Sequence, residues 1–218
     1  MCILASVLTW LRLPAAGRDT LYAEDGSQFV NDWASNGSWS VLLRPYAGYQ
    51  HLIPRVASGL IAWLVPIDAW ADAMIAAAAA VVGVTAGLVY VLSRAVVSSP
   101  MARLGLAAVP VLVPLAGVEV IDSLANVHWY LLYLTPWLLL AMPRERATAL
   151  GLAFVALVAA LTEPQTVILA PLAVWVLVRD PRSRVIVLGW ALGVAGQIIT
   201  FVWRRASGPT VSLPGCPW

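Results

Sequence analysis

The chain has 218 residues, of which 61% are hydrophobic and only 11% charged, and its mean hydropathy is +0.84. That lies well beyond the roughly 45–50% apolar usage of a soluble domain and describes an integral membrane protein. The 13 cations are all arginine and the net charge is +2, so no basic surface marks a nucleic-acid partner. Cys2 and Cys216 stand near opposite ends without metal-ligand spacing, and a disulfide between them stays open.

The opening "MCILASVLTWLRLP" is about half of the ~20-residue apolar run that a ~30 Å hydrocarbon core requires. It lacks the basic start of a secretory signal, so it reads as the outer end of a first transmembrane helix whose beginning is missing. A long loop, residues 15–67, follows and contains "LYAEDGSQFV", where Glu24 and Asp25 are adjacent. From Asp25 onward, Phe29, Val30 and Trp33 share one helical face and Asn36-Gly37 supplies a stop. This predicts a short amphipathic helix on the membrane, with Asp25 as N-cap and Gln28 as its capping-box partner. Capping accounts for Asp25 but leaves Glu24 unexplained.

"LLRPYAGYQHLIPR", residues 42–55, then concentrates Arg44, Tyr46, Tyr49, His51 and Arg55. Guanidinium groups bind phosphate in a bidentate manner, and the tyrosines and histidine can donate hydrogen bonds at the headgroup boundary. The competing reading is that the arginines neutralise Glu24, Asp25 and Asp32 within the loop. Residues 56–67 predict a helix lying in the outer interface, because counting them as a crossing would put Arg94 and Arg103 outside.

The crossings come next. Residues 70–92 form one span, and residues 104–118 and 127–142 form a pair split by "EVIDSLAN". Residues 147–178 would make a helix of ~48 Å, too long for one crossing. Glu163-Pro164 therefore predicts a hairpin tip, since proline breaks the ladder and disfavours helix in the residue before it. Residues 185–203 give the last span. With a cytoplasmic N-terminus, Arg94, Arg103, Arg144, Arg146, Arg179, Arg182 and Arg184 fall inside, and most of the acids fall outside, as the positive-inside rule expects. The C-terminal "VSLPGCPW" stops in a loop, so the chain reads as part of a longer protein. The expected fold is all-α: a polytopic transmembrane helical bundle of about seven membrane helices, several of them short. It forms one truncated transmembrane domain over residues 1–218, with residues 15–67 as an extracytoplasmic loop holding interfacial helices.

A 15-residue crossing spans only ~22 Å, so the outer ends of such helices should lie below the lipid surface. Ionisable groups at that depth need protein or a wet cavity around them. Glu119, Asp122, Asn126 and His128 from one turn, and Glu163 and Gln165 from the next, are expected to line a recess open to the outside. The plainer alternative makes them solvated turn residues, with His128 beside Trp129 in an aromatic belt and Asn126 ending a helix. Glu163 resists that alternative, because no charge flanks it for many residues on either side and an intramembrane carboxylate marks function by default.

"AEDG", "PYAGYQHLIPR", "NVHWYLL" and "LTEPQTVILAPL", spread over residues 18–178, resemble actinobacterial members of the GT-C superfamily of polytopic glycosyltransferases. The resemblance implies a carboxylate motif in the first extracytoplasmic loop, here Glu24 and Asp25, and a polyprenyl-phosphate sugar as donor at the outer membrane face. It departs from the superfamily in length, with fewer helices and no C-terminal half. Glycosyl transfer needs a base for the acceptor hydroxyl and groups that stabilise the leaving phosphate. On this reading Asp25 is the base and Glu24 its neighbour or a contact for a divalent metal ion. Arg44, His51 and Arg55 bind the donor phosphate, and Tyr46, Tyr49, Asp122, Asn126, His128, Glu163 and Gln165 form the substrate pocket. No dedicated metal site and no firm cofactor is expected. The partners are the lipid-linked sugar, a glycan or lipid acceptor and membrane lipids, in a bacterial plasma membrane. Other classes compatible with the sequence are a transporter or flippase using Glu163 for proton coupling and a non-catalytic membrane subunit.

Overall fold

The computed structural model describes residues 1–13, 20–21, 24–112 and 123–206, and among them the chain is helical with no strand. Helix α1 spans Cys2–Arg12. The outer-loop region gives a π-helical turn, Asp25–Val30, running into α2, Asn31–Asn36, and then α3, Leu52–Leu64. Helices α4, Trp70–Leu92, and α5, Pro100–Leu112, are followed by α6, Val127–Leu139, and α7, Arg146–Thr162. A 3-10 turn, Pro164–Leu169, leads to α8, Ala170–Arg179, and α9 is Arg184–Ala206. Among the described residues, two helical stretches are long and apolar enough to cross a membrane: Ile67–Ala95, with a mean hydropathy of 2.3, and Pro181–Ala206, with 2.1.

Several boundaries follow from local chemistry. Helix α4 begins and ends where the apolar run does. The 147–178 run breaks at Glu163, whose backbone is extended (φ −125°, ψ 101°) ahead of Pro164, because the proline ring excludes the helical conformation from its predecessor. Helix α2 stops at Gly37, which takes the left-handed conformation at φ 54° that costs glycine little. Phe29, Val30 and Trp33 are buried on one face, as the periodicity predicts. The capping box does not form. Glu24 is the residue ahead of the helical stretch, without a side-chain cap, and Asp25 lies inside it. A stronger demand, described below, claims the Asp25 carboxylate.

The bundle closes through small residues. Gly83 and Gly87 on α4 face Cys2 and Ser6 of α1, and Gly189 and Gly193 on α9 face Ala153, Leu157 and Ala160 of α7. In both pairs a glycine every fourth residue lets two backbones approach, the small-xxx-small contact of membrane helices. A side chain at 189 would run into the Ala153 carbonyl oxygen, which is backbone and cannot rotate away. Gly189→Leu should therefore wedge α9 from α7 and cost roughly 1–3 kcal/mol, read as a lower thermal midpoint in detergent. Gly151→Leu on α7, where no atom stands near the added carbon, should leave the midpoint in place. Equal midpoints for both variants would refute this contact.

Two apolar cores result. One joins Val89 and Leu92 of α4 to Leu131, Leu134 and Leu138 of α6, Ala156 and Ala160 of α7, and Ile186 and Trp190 of α9. The other joins Ala5 of α1, Val30, Ile61 of α3, and Met74, Ala78 and Val82 of α4 to Val127 of α6. Helices α4 and α6 belong to both cores. Their shared frame fixes the outer-loop elements against the start of α6 and the end of α7.

Candidate functional site

The polar groups gather where α3 and α6 begin and α7 ends. Asp25 is 1% exposed. Its Oδ2 accepts from Leu124 N–H and its Oδ1 from Ala125 N–H, both at 2.8 Å. These amides lie just ahead of α6, where helix N-terminal N–H groups lack intrahelical acceptors and the dipole favours an anion. Satisfying two buried donors outweighs capping a short exposed helix. Burial pushes the Asp25 carboxyl up to about 6, against the pull of the two amides and of Ser123 and with a smaller push from the Glu24 charge. Glu24 is half-buried beside Tyr46, whose hydroxyl is raised by burial and then by the Glu24 charge.

The segment Tyr46-Ala47-Gly48-Tyr49 is a tight reversal, with Tyr46 N–H donating to Tyr49 O at 2.8 Å and Tyr49 N–H to Tyr46 O at 2.9 Å. Both central residues have positive φ, Ala47 at 48° and Gly48 at 97°. Gly48 takes this freely. Ala47 holds it at a strain of ~1–2 kcal/mol. The turn brings both tyrosine rings to His51, at 5.5 Å and 5.3 Å between centroids, with Phe29 also at 5.5 Å and His128 at 5.4 Å. Burial holds the Tyr49 hydroxyl up at about 12.

His51 is fully buried, with Nδ1 3.0 Å from Thr162 O and Nε2 2.7 Å from Ala125 O. It therefore ties the end of α7 to the turn before α6. A neutral imidazole has one donor for these two acceptors. Burial pulls its pKa down to about 4, while the two carbonyls pull the other way. The peptide before it is clamped by Gln197 of α9: Gln50 N–H donates to Gln197 Oε1 at 2.8 Å, and Gln197 Nε2 donates to Gln50 O and Ala160 O, each at 3.0 Å.

Glu163, 1% exposed, accepts from His128 Nδ1 through Oε2 and from Gln165 N–H through Oε1 at 2.6 Å. Gln165 contributes its backbone, and its side chain is exposed. Asn126, half-buried, immediately precedes α6. Asp122, together with Glu119, lies outside the described residues. Among the residues expected to meet, Asp25, His51, His128 and Glu163 do so directly or through the 124–125 and 162–165 backbone, with Tyr46 and Tyr49 packed on them.

The arginines go elsewhere. Asp32 accepts from Arg44 at 3.1 Å and from Arg55 at 2.9 Å, and Arg44 also donates to Asn36 Oδ1 at 2.7 Å. Arg55, 2% exposed, lies with its guanidinium 5.5 Å from the centroid of the Phe29 ring. A partner for Asp32 is thus what the loop makes of both cations, and the 46% exposure of the Arg44 side chain leaves it the outward-facing one. Beside the site, Tyr49, Pro164, Val167, Val194, Gln197, Ile198 and Phe201 line an open, almost wholly apolar groove of about 190 Å³. The Arg205 guanidinium lies 4.5 Å over the Phe201 ring at its rim. No group of three or more metal-ligating side chains occurs among the described residues.

Sequence reasoning passed over Gln197 and Arg205. The signal for Gln197 was present: a lone amide in the apolar run 185–203 is subject to the same rule that singled out Glu163. Comparison with protein families, curated proteins and solved structures gives no match for this chain. Fold and site together define an all-helical protein with, among the described residues, two helices long and apolar enough to cross a membrane and a buried carboxylate–imidazole cluster at one end of the bundle.

Proposed function

We propose that the chain is a multi-pass membrane glycosyltransferase with a cytoplasmic N-terminus, moving a sugar from a polyprenyl-phosphate donor to an acceptor hydroxyl at the outer membrane face. The observation that carries the reading is the convergence of Asp25, His51, His128 and Glu163, drawn from segments far apart in sequence, under a set of aromatic rings. Tyr46, Tyr49 and Trp129 offer flat faces on which a sugar ring can stack. The adjoining groove suits an apolar chain, and Arg205 at its rim suits a phosphate, which supports a lipid-linked donor. Asp25 then acts by holding the turn before α6, and Glu24, half-exposed beside Tyr46, is the acid of the pair with access to a substrate. Removing it should weaken transfer without unfolding the chain.

The test is transfer of labelled sugar from polyprenyl-phosphate sugar by the full chain in lipid nanodiscs. Transfer that falls at least tenfold in Glu24→Gln, with an unchanged thermal midpoint, supports the proposal; the absence of transfer with every donor tried removes it. A second reading, proton-coupled transport, draws on the buried Glu163–His128 pair, since ionisable groups at membrane depth also build proton relays. Uptake into vesicles that needs a proton gradient and stops in Glu163→Gln would favour it.

A further inference from the structure

The geometry points to His128 Nε2, oriented by Glu163, as the atom that accepts the acceptor hydroxyl's proton. This rests on the glycosyltransferase reading above and assigns the base within that site. Four side chains in the cluster could take a proton, and three of them are spoken for. Both oxygens of Asp25 accept backbone N–H groups and the residue is 1% exposed. Both oxygens of Glu163 are likewise engaged, by His128 and by Gln165 N–H, at the same exposure. His51 is fully enclosed between two carbonyls. His128 differs. Its side chain is 13% exposed, and Nε2 has no hydrogen bond to any described residue.

The pairing also sets the tautomer. A carboxylate only accepts, so Nδ1 carries the hydrogen donated to Glu163, which leaves the Nε2 lone pair free to act as base. An acid that holds imidazole in this tautomer and stabilises the imidazolium formed in the reaction is the arrangement used by triad enzymes. Here the acid is at the end of α7 and the histidine in the first turn of α6. The pair therefore depends on the two helices keeping their register, and His51 lies packed between them, with its ring nitrogens against Ala125 O and Thr162 O. The other titratable ring packed against His128 is that of His51, ahead of α3, and Tyr46 and Tyr49 pack in turn on His51.

The step balances as a substitution at the anomeric carbon. The acceptor oxygen forms a bond to that carbon, and the bond from the carbon to the phosphate oxygen breaks, its electron pair leaving on the polyprenyl phosphate. The acceptor's proton passes to His128 Nε2 and from there to water, restoring the neutral ring.

Because the chain has 2 histidines, of which His51 is enclosed, the imidazole reagent diethyl pyrocarbonate reads His128 without any assay of transfer. In the full chain in nanodiscs, peptide mapping should find carbethoxylation at His128 before His51, slowed several-fold by Glu163→Gln and blocked by saturating polyprenyl-phosphate sugar. His128→Gln should lower kcat for transfer by roughly 10²–10⁴-fold, with KM for the donor little changed. An inert His128, a labelling rate indifferent to Glu163→Gln, or a His128→Gln protein that transfers at the wild-type rate would each overturn the assignment. A wild-type protein that transfers no sugar removes the glycosyltransferase reading, while the labelling still decides whether Glu163 orients a reactive His128.

Discussion

Gln197→Leu should lower stability by roughly 2–5 kcal/mol. The substitution keeps the volume and apolar packing of the side chain but removes every bond it makes, so Gln50 N–H, Gln50 C=O and Ala160 C=O all lose a partner. Each buried backbone group left unpaired costs ~1–3 kcal/mol, and partial access to water in the adjoining groove relieves some of that. The loss would fall on the site in particular. Gln50 is the residue before His51, and without the clamp the His51 ring is no longer held between Ala125 O and Thr162 O. Unfolding in detergent against added denaturant measures the total. Hydrogen exchange at the Gln50 amide measures the local part, and it should speed up well beyond amides in the middle of α4. An unaltered Gln50 exchange rate would show that the clamp does not order this segment.

The second expectation concerns pH. Burial raises the Asp25 carboxyl from 3.8 to about 6, so the folded state holds its proton more tightly than the unfolded chain does. The stability this group contributes is fully present below about 3.8 and is lost as pH rises through about 6. His51 runs the other way: burial lowers it from 6.5 to about 4. Its contribution is present above about 6.5 and is lost as pH falls through about 4. Each displacement corresponds to about 3 kcal/mol, and over pH 4–6 the two slopes oppose each other. The wild-type protein should therefore change little in stability across that window. His51→Gln should leave a protein that loses about 3 kcal/mol between pH 4 and 6, and Asp25→Asn one that gains about as much between pH 4 and 6.5. Thermal midpoints at half-unit pH steps read all three curves. Parallel curves for the two variants would mean that neither group titrates as its burial dictates.

These two groups show how folding trades local preference for distant demand. Read locally, Asp25 heads a helix with Gln28 three places on, and no better use for it is visible. In the folded chain its acceptors' needs are met by amides 99 and 100 residues away, because buried backbone donors at a helix start cost more when unpaired than an exposed cap returns. The arginines illustrate the same point in the other direction. Arg44 and Arg55 lie in the segment where a phosphate site was expected, and the acid that engages both, Asp32, is 12 and 23 residues before them.

By itself the sequence determined what depends on neighbours within a few residues. The helical class follows from composition and period, the helix 70–92 from a long apolar run with Asp72 at one edge, the break at Glu163 from the proline after it, and the stop at Gly37 from a backbone conformation open to glycine. It also marked Glu163 as a group too costly to leave unpartnered and set His128 in the same expected recess. Only the tertiary structure decided which partners they took. The Glu163–His128 pair, the clamp by Gln197 on a peptide 147 residues away and the glycine contacts between α7 and α9 are set by how helices cross. A hydrogen bond or a close backbone approach requires positions fixed to a fraction of an ångström, and a one-dimensional pattern records that a polar or small residue is needed without recording what stands opposite.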